Sequence, residues 1–477
     1  MKKILITFFS LFFSFQLVAQ YPFNEISNKS IPHTVIIDKK LSYKVLFRMD
    51  DPVWTNKDTW AKAKSSHDMI LAIPGQDSSS YSLAISHECN TASKDLGDGG
   101  GMSIVPIKFS NNAWSVSDTI KNIDFSSVGG TYDNCSGTYI PNKKTILTAE
   151  EGTPATNAVL YKNGKGYTDT SDINGLKRFQ NTGWMVEVDP NALTSLRKLY
   201  GMGRFVHESA LVLEDGKTVF LTDDFAPSVF FKFVAKEKYN FEAGQLYAYK
   251  DASQADTSHW IALPMAMDSL LDIRNVALRM GASYFLRMEW MTQVNETIYI
   301  TATGFDQFDT QVCFNGKPSN HLLPFLKDGI VDEPYGTVLA FNLKTNEMIT
   351  LLNGGQAMYD RHKHFSNPDA ITNITLNGKT YLVISEDIIA YTRGRVNTKA
   401  TKQAAFVNEI YWLDLSILKP TVDDLKRFLI APAGAETTGG TFLQGDSRYY
   451  FVNIQHPDSA NPAPFNKSCT IVIDLKK

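Results

Sequence analysis

The sequence predicts an all-β protein, a six-bladed β-propeller with inserted loops, on three observations. Amphipathic helical patterns are scarce: only 268–274 and 421–428 read as briefly helical. Most of the 477 residues form short runs rich in Val, Ile, Tyr and Phe, separated by Gly, Asn and Asp turns, which is how antiparallel strands read. One plan then recurs five times, its starting residues 73, 81, 80 and 67 positions apart. It runs from a metal-capable residue through a short strand and a polar turn into a second strand. A long repeat holding about four strands is the mark of propeller blades. A β-sandwich would not produce five matching hairpins.

In chain order, residues 1–20 (MKKILITFFSLFFSFQLVAQ) pair two lysines with an apolar run and a small-residue end. This is a Sec-type signal peptide, too short in its apolar run to serve as a membrane anchor. The expected product is exported, periplasmic or secreted, with 21–477 as a single catalytic propeller domain. YSLAISHECN (81–90) and GMSIVPIKFS (101–110) contribute to one unit. The five hairpins follow: NCSGTYIPNKKTILTAEE (134–151), HESALVLEDGKTVFLTDD (207–224), RMEWMTQVNETIYITATG (287–304), PDAITNITLNGKTYLVISED (368–387) and ETTGGTFLQGDSRYYFVNIQHP (436–457). Between them, GWMVEVDP, VFFKFVA, GQLYAYK, GTVLAFNL and EIYWLDL supply outer strands, and CTIVIDLK near the C-terminus closes the ring. With 47 basic and 50 acidic residues, no nucleic acid or other polyanion partner is expected; a monomer is. The cysteines at 89, 135, 313 and 469 do not form a disulfide framework.

The hairpins begin with Cys135, Glu208, Glu289, Asp369 and Glu436. An antiparallel hairpin returns its second strand to the level where the first began, so both ends of each hairpin lie on one rim. Radial blades bring the five starting residues to one mouth of the central channel. Four hairpins end on Glu150-Glu151, Asp223-Asp224, Glu386-Asp387 and His456, whereas the third ends on Thr303-Gly304. Successive strand residues point to opposite faces. One member of each acidic pair therefore faces the channel, Glu151 being preferred to Glu150, and the other is read as a solvated rim charge. Asp332-Glu333 likewise reads as surface.

Carboxylates alone suggest Ca²⁺ or Mg²⁺, and a thiolate among them points to iron or zinc. The alternative for Cys135 is a small buried hydrophobe. Arg287, two residues before Glu289, shares its face if the stretch is extended, either as a counter-ion or as a fork for phosphate oxygens. His87, Glu88 and His456 are open between ligands, proton carriers and satisfied polar groups.

The segments NCSG with TILTAEE, then GRFVHESA, TDDF, FKFV, LRMEW, NPDAI, AETTGG and FVNIQHP resemble, in this order, the PhoX-type alkaline phosphatases over about 87–457. The resemblance implies a six-bladed propeller carrying Fe³⁺ and Ca²⁺ in an oxo-bridged cluster. It implies Cys135 as an iron ligand, Glu208, Glu289, Asp369 and Glu436 as cluster ligands, and Arg287 on the substrate phosphate. Glu151 joins the metal set, with Glu88, His87, Glu150, Asp223, Asp224, Asp387 and His456 as further ligands or their supports. The expected activity is hydrolysis of small phosphate monoesters to inorganic phosphate. The alternatives are a phosphodiesterase, a lactonase, or a non-catalytic calcium-stabilised binding propeller. Two departures stand out: no Arg-Arg in the leader, and Ala370 where the family usually has Asn.

Overall fold

Each repeated segment pairs as an antiparallel hairpin: Asn134–Ile140 with Thr145–Glu150, His207–Val212 with Thr218–Asp223, Met288–Val294 with Thr297–Ala302, Pro368–Leu376 with Lys379–Glu386, and Glu436–Leu443 with Asp446–Gln455. The turns follow from their residues. Asn377-Gly378 joins its two strands with both φ angles positive, 50° and 77°, a conformation that Asn-Gly adopts at little cost and that matches the twist of the strands. These features belong to a computed structural model. It describes residues 21–27, 31–93, 95–97, 99–163, 171–254, 256–305, 315–355, 365–388 and 407–475. The expected leader and Cys313 lie outside them.

The described residues form six sheets of four to seven strands and two small two-stranded ones. The innermost strands are His67–Pro74 and the first strands of the five hairpins. Each lies against the next, and Glu436–Leu443 returns to His67–Pro74, so the ring closes. The architecture is therefore an all-β propeller. GWMVEVDP, VFFKFVA, GQLYAYK, GTVLAFNL and EIYWLDL supply the strands Met185–Asp189, Phe231–Glu237, Asn240–Tyr249, Thr337–Asn342 and Glu409–Asp414. Cys469–Asp474 pairs with Ser42–Arg48 on the outside of the last sheet, so residues from both ends of the domain complete one sheet. Ile36–Ile37 similarly edges the sheet before it.

Aromatic residues fill the wedges between sheets, including fully buried Trp184, Trp412, Phe231 and Phe233. The 268–274 region is helical, as Met267–Leu270 and Ile273–Arg279. The 421–428 pattern instead gives a short 3₁₀ turn, Val422–Asp424, followed by the strand Lys426–Ile430. Phe428, Leu429 and Ile430 are buried there, and pairing with Glu409–Asp414 outweighs local helical spacing. Cys89, Cys135 and Cys469 are free thiols.

Candidate metal centre

The inner strands share a local device that aims their side chains. In five of them the ladder shifts register immediately after its first pair: His67↔His87, Asn134↔Glu150, His207↔Asp223, Met288↔Ala302 and Pro368↔Glu386. A bulge at this point bends the strand and re-aims the next residue. Those next residues are Asp68, Cys135, Glu208, Glu289 and Asp369, all buried and all lining one cavity on the propeller axis. In the sixth inner strand the shift falls later, between Thr438 and Thr441, and Glu436 reaches the cavity from the strand's first position.

The residues that follow the second strands form the upper part of the same cavity: Glu88, Glu151, Asp224 and Asp387. Their preceding neighbours turn into the sheets. Glu150 is fully buried, and both its carboxylate oxygens lie 2.9 Å from Lys198 Nζ. It also accepts hydrogen bonds from the Tyr132 and Trp184 amides, each at 3.2 Å. Asp223 is fully buried against Arg274. The alternation is as expected, and Glu151 is the member facing the cavity, but the inward partners are not solvated rim charges. Both Glu150 and Asp223 are buried, each against a cation, and Glu386 is buried too, accepting from the Ser366 and Glu409 amides. Glu333 is buried as well, contrary to its surface reading.

His87 departs from the candidate set. It is 1% exposed, and its ring nitrogens bond the Ser65 carbonyl (3.0 Å) and Ser103 Oγ (2.9 Å), which makes it a satisfied polar residue inside its sheet. His456 is 43% exposed, with Nε2 3.1 Å from Glu436 Oε2. Thr303 occupies the place held by acids elsewhere and donates from Oγ to Glu289 Oε1 at 2.6 Å.

Arg287 also lines the cavity, although its stretch is not extended: its φ is 53°. Ser66, Asp133 and Asn367 hold the same place before their inner strands and also have positive φ, 50°, 45° and 50°. A left-handed turn thus precedes four of the bulges. It suits Asn and Asp, and it strains Arg. The turn brings the guanidinium over the carboxylates: Nε donates to Asp224 Oδ1 (2.9 Å), Nη2 to Asp224 Oδ2 (3.2 Å), and Nη2 is 3.4 Å from Glu289 Oε1.

Asp68 escaped sequence reading, yet it carries a signal. DMILAIPGQDSSSYSLAISHE (68–88) has the same plan as the five hairpins, and Asp68 precedes Cys135 by 67 residues (135 − 68), inside the observed repeat. Its flanking histidines and serines hid it. Asp224 and Asp387, which the sequence left among the supports, face the cavity directly.

The electrostatics of this cavity favour a bound cation whenever its acids are ionised. Burial, followed by repulsion from neighbouring carboxylates, pushes Glu208, Glu289, Asp369 and Glu436 well above the usual carboxylate range. Burial and then Glu151 and Glu208 push the Cys135 thiol up likewise, and its Sγ–H donates to Glu151 Oε2 at 2.9 Å. Burial opposes the charge on Asp224 as well, but the Arg287 guanidinium outweighs it and holds that carboxyl below its ordinary range. Buried ionised groups persist only when paired or metal-bound, and one arginine cannot pair with so many acids. Asp68 Oδ2 and Asp387 Oδ1 are buried without a hydrogen-bond donor, which leaves lone pairs available to an ion.

Among the described residues, three groups have ligand atoms within 4.8 Å of one another: Asp68–Cys135–Glu208, Glu88–Cys135–Glu151 and Glu208–Glu289–Asp369. Cys135 belongs to two of them and Glu208 to two, so several ions could share ligands. Fold and site together define a β-propeller with an acidic, thiol-bearing centre on its axis whose side chains could hold metal ions.

A family profile described as alkaline phosphatase PhoX matches residues 106–458, about three quarters of the chain. The chain belongs to the PhoX alkaline phosphatase family and is a metal-dependent phosphatase. Among solved structures it resembles Pseudomonas fluorescens PhoX in complex with vanadate, a transition state analogue, with TM-score 0.70 and 18% identity over 95% of this chain and 97% of that one. Trypanosoma rangeli sialidase with 2,3-difluorosialic acid gives TM-score 0.43 and 9% identity, covering 92% of this chain and 60% of that one. A putative 6-phosphogluconolactonase from Bacteroides fragilis gives 0.37 and 11%, covering 86% and 87%. No curated protein sequence matches the chain. Among the described residues no helix is long and apolar enough to cross a membrane.

Proposed function

We propose that this chain hydrolyses small phosphate monoesters to inorganic phosphate after export by its N-terminal leader. Residues 21–477 act as one catalytic unit, a monomer whose six sheets are its six blades. The observation that carries this reading is a guanidinium, Arg287, held in a cavity otherwise lined by buried acids and a thiol.

The metal set is Fe³⁺ with Ca²⁺. Carboxylates and hydroxyl-type donors suit calcium, and a thiolate belongs to a softer ion. Cys135 bonded to Glu151 and shared between two ligand groups is the natural iron position. Asp68, Glu88, Glu208, Glu289, Asp369 and Glu436 complete the cluster. When bound, such ions neutralise phosphoryl oxygens and activate a nucleophile at moderate pH.

The protein's own residues position the ester. Arg287 presents a planar fork suited to a pair of phosphoryl oxygens. Asp224 sets its orientation through two hydrogen bonds, and Thr303 fixes Glu289 beside it. Phosphoryl transfer depends chiefly on such positioning and charge neutralisation. His456, half in solvent and bonded to Glu436, connects the acids to bulk water as a proton carrier.

The test is metal analysis of the purified full chain together with hydrolysis of 4-nitrophenyl phosphate, a phosphodiester and a lactone at alkaline pH. Bound iron and calcium are expected, with monoester turnover that is lost on chelation. Protein holding less than one metal ion per chain and inert towards the monoester would overturn the reading.

A further inference from the structure

Phe225 is a large apolar side chain left 44% exposed, and it directly follows Asp224, which lines the cavity. Its main chain is tied to the site. Its carbonyl accepts the Arg287 amide at 2.9 Å, and its own amide donates to the Asp223 carbonyl at 2.9 Å. Arg287 and the Phe225 backbone therefore keep a fixed relation to each other.

The ring is tied as well. Arg274 Cζ lies 4.0 Å from the Phe225 ring centroid, a cation–π contact over one face. Arg274 is 14% exposed and is gripped by fully buried Asp223, with Nε 2.7 Å from Oδ2 and Nη2 on Oδ1. One face of the ring is thus braced by a guanidinium that cannot swing away, and the exposed part faces solvent. An aromatic kept in this state next to a catalytic centre is a built surface.

The floor of the cavity is closed by acids, so a phosphoryl group lying against Arg287 must direct its ester substituent outward, over the rim. Phe225 is the exposed aromatic whose main chain is bonded to Arg287 there. We infer that the ring of Phe225, braced by Arg274, is a stacking platform for the leaving group, which makes the enzyme prefer aryl and nucleoside monophosphates to phosphates of small aliphatic alcohols. This rests on the phosphomonoesterase reading above and names its substrate class.

The experiment compares metal-loaded wild type with Phe225→Leu, Phe225→Ala and Phe225→Tyr. The substrates are 4-nitrophenyl phosphate, adenosine 5′-monophosphate and glycerol phosphate, and inorganic phosphate is the competitive inhibitor. Phe225→Leu keeps the bulk and removes the π-face. For the two aromatic substrates kcat/KM is expected to fall about tenfold in Phe225→Leu and Phe225→Ala, mostly through KM, which is the scale of one aromatic stacking contact. Phe225→Tyr restores the preference. Glycerol phosphate turnover and phosphate inhibition should change far less. An equal loss on all three substrates, or no loss on any, overturns the platform. Wild type inert towards all three refutes the phosphomonoesterase reading itself, so the two failures are distinguishable.

Discussion

Lys198→Met tests the separation of Glu150 from Glu151. Lys198 and Glu150 side chains are 1% and 0% exposed, with Nζ 2.9 Å from both oxygens. At that distance, with an effective dielectric constant near 20, their attraction is about 6 kcal/mol, and desolvation offsets most of it. The intact pair is therefore close to neutral for stability. Breaking it is not, because a lone buried carboxylate remains, at a cost of about 3–5 kcal/mol. The Asn181 carbonyl also loses its donor. Burial already holds the Glu150 pKa above its ordinary value even with Lys198 present, and without the lysine it rises further. A carboxyl whose folded pKa is raised contributes less as pH rises, so the deficit of the variant should grow from acidic to alkaline pH. Urea unfolding followed by tryptophan fluorescence measures this, with Glu150→Gln/Lys198→Met as the second arm. The double variant should recover about 2 kcal/mol, and it should keep its metal, because Glu150 points away from the cavity. A loss below about 1 kcal/mol for Lys198→Met, the range of an exposed pair, would refute the reasoning. So would loss of metal from the double variant.

Three further outcomes are expected. Cys135→Ser should lose iron while keeping calcium, as read by elemental analysis of the purified variant; full iron content would remove the thiol from the centre. Arg287→Lys keeps the charge and loses the fork, so kcat/KM for a monoester should drop about a hundredfold at unchanged metal content. His321 stacks on Phe285 with ring centroids 5.2 Å apart, and burial pushes its pKa down to about 3. Its neutral form stabilises the fold fully above pH 6.5, and that contribution is lost as pH falls towards 3, at about 1.4 kcal/mol per pH unit. His321→Gln should flatten this dependence by one proton in denaturant titrations at successive pH values.

The parts of the site legible in the sequence are those written into the repeat. Cys135, Glu208, Glu289, Asp369 and Glu436 stand out because each opens a hairpin of the same plan, and period-two alternation allows only one of Glu150 and Glu151 to face the channel. Asp68 follows the same rule but stands among polar residues in a unit whose second and third strands were easier to read. The fate of the inward acids was not legible. Alternation states that one member of each pair turns away from the axis, and whether that member meets water or a cation depends on Lys198 and Arg274, 48 and 51 residues from Glu150 and Asp223.

The sequence alone determined the all-β propeller class and the residue types that open its hairpins, because strand periodicity, turn residues and side-chain type are local properties. Tertiary structure decided which donor atoms lie close together, which histidine is buried and which is wet, and how Arg287 reaches its acids. Arg287 and Glu289 were expected together on an extended face, and they meet instead across a left-handed turn and a bulge. The register of a ring of sheets sets such distances, and no single segment encodes it.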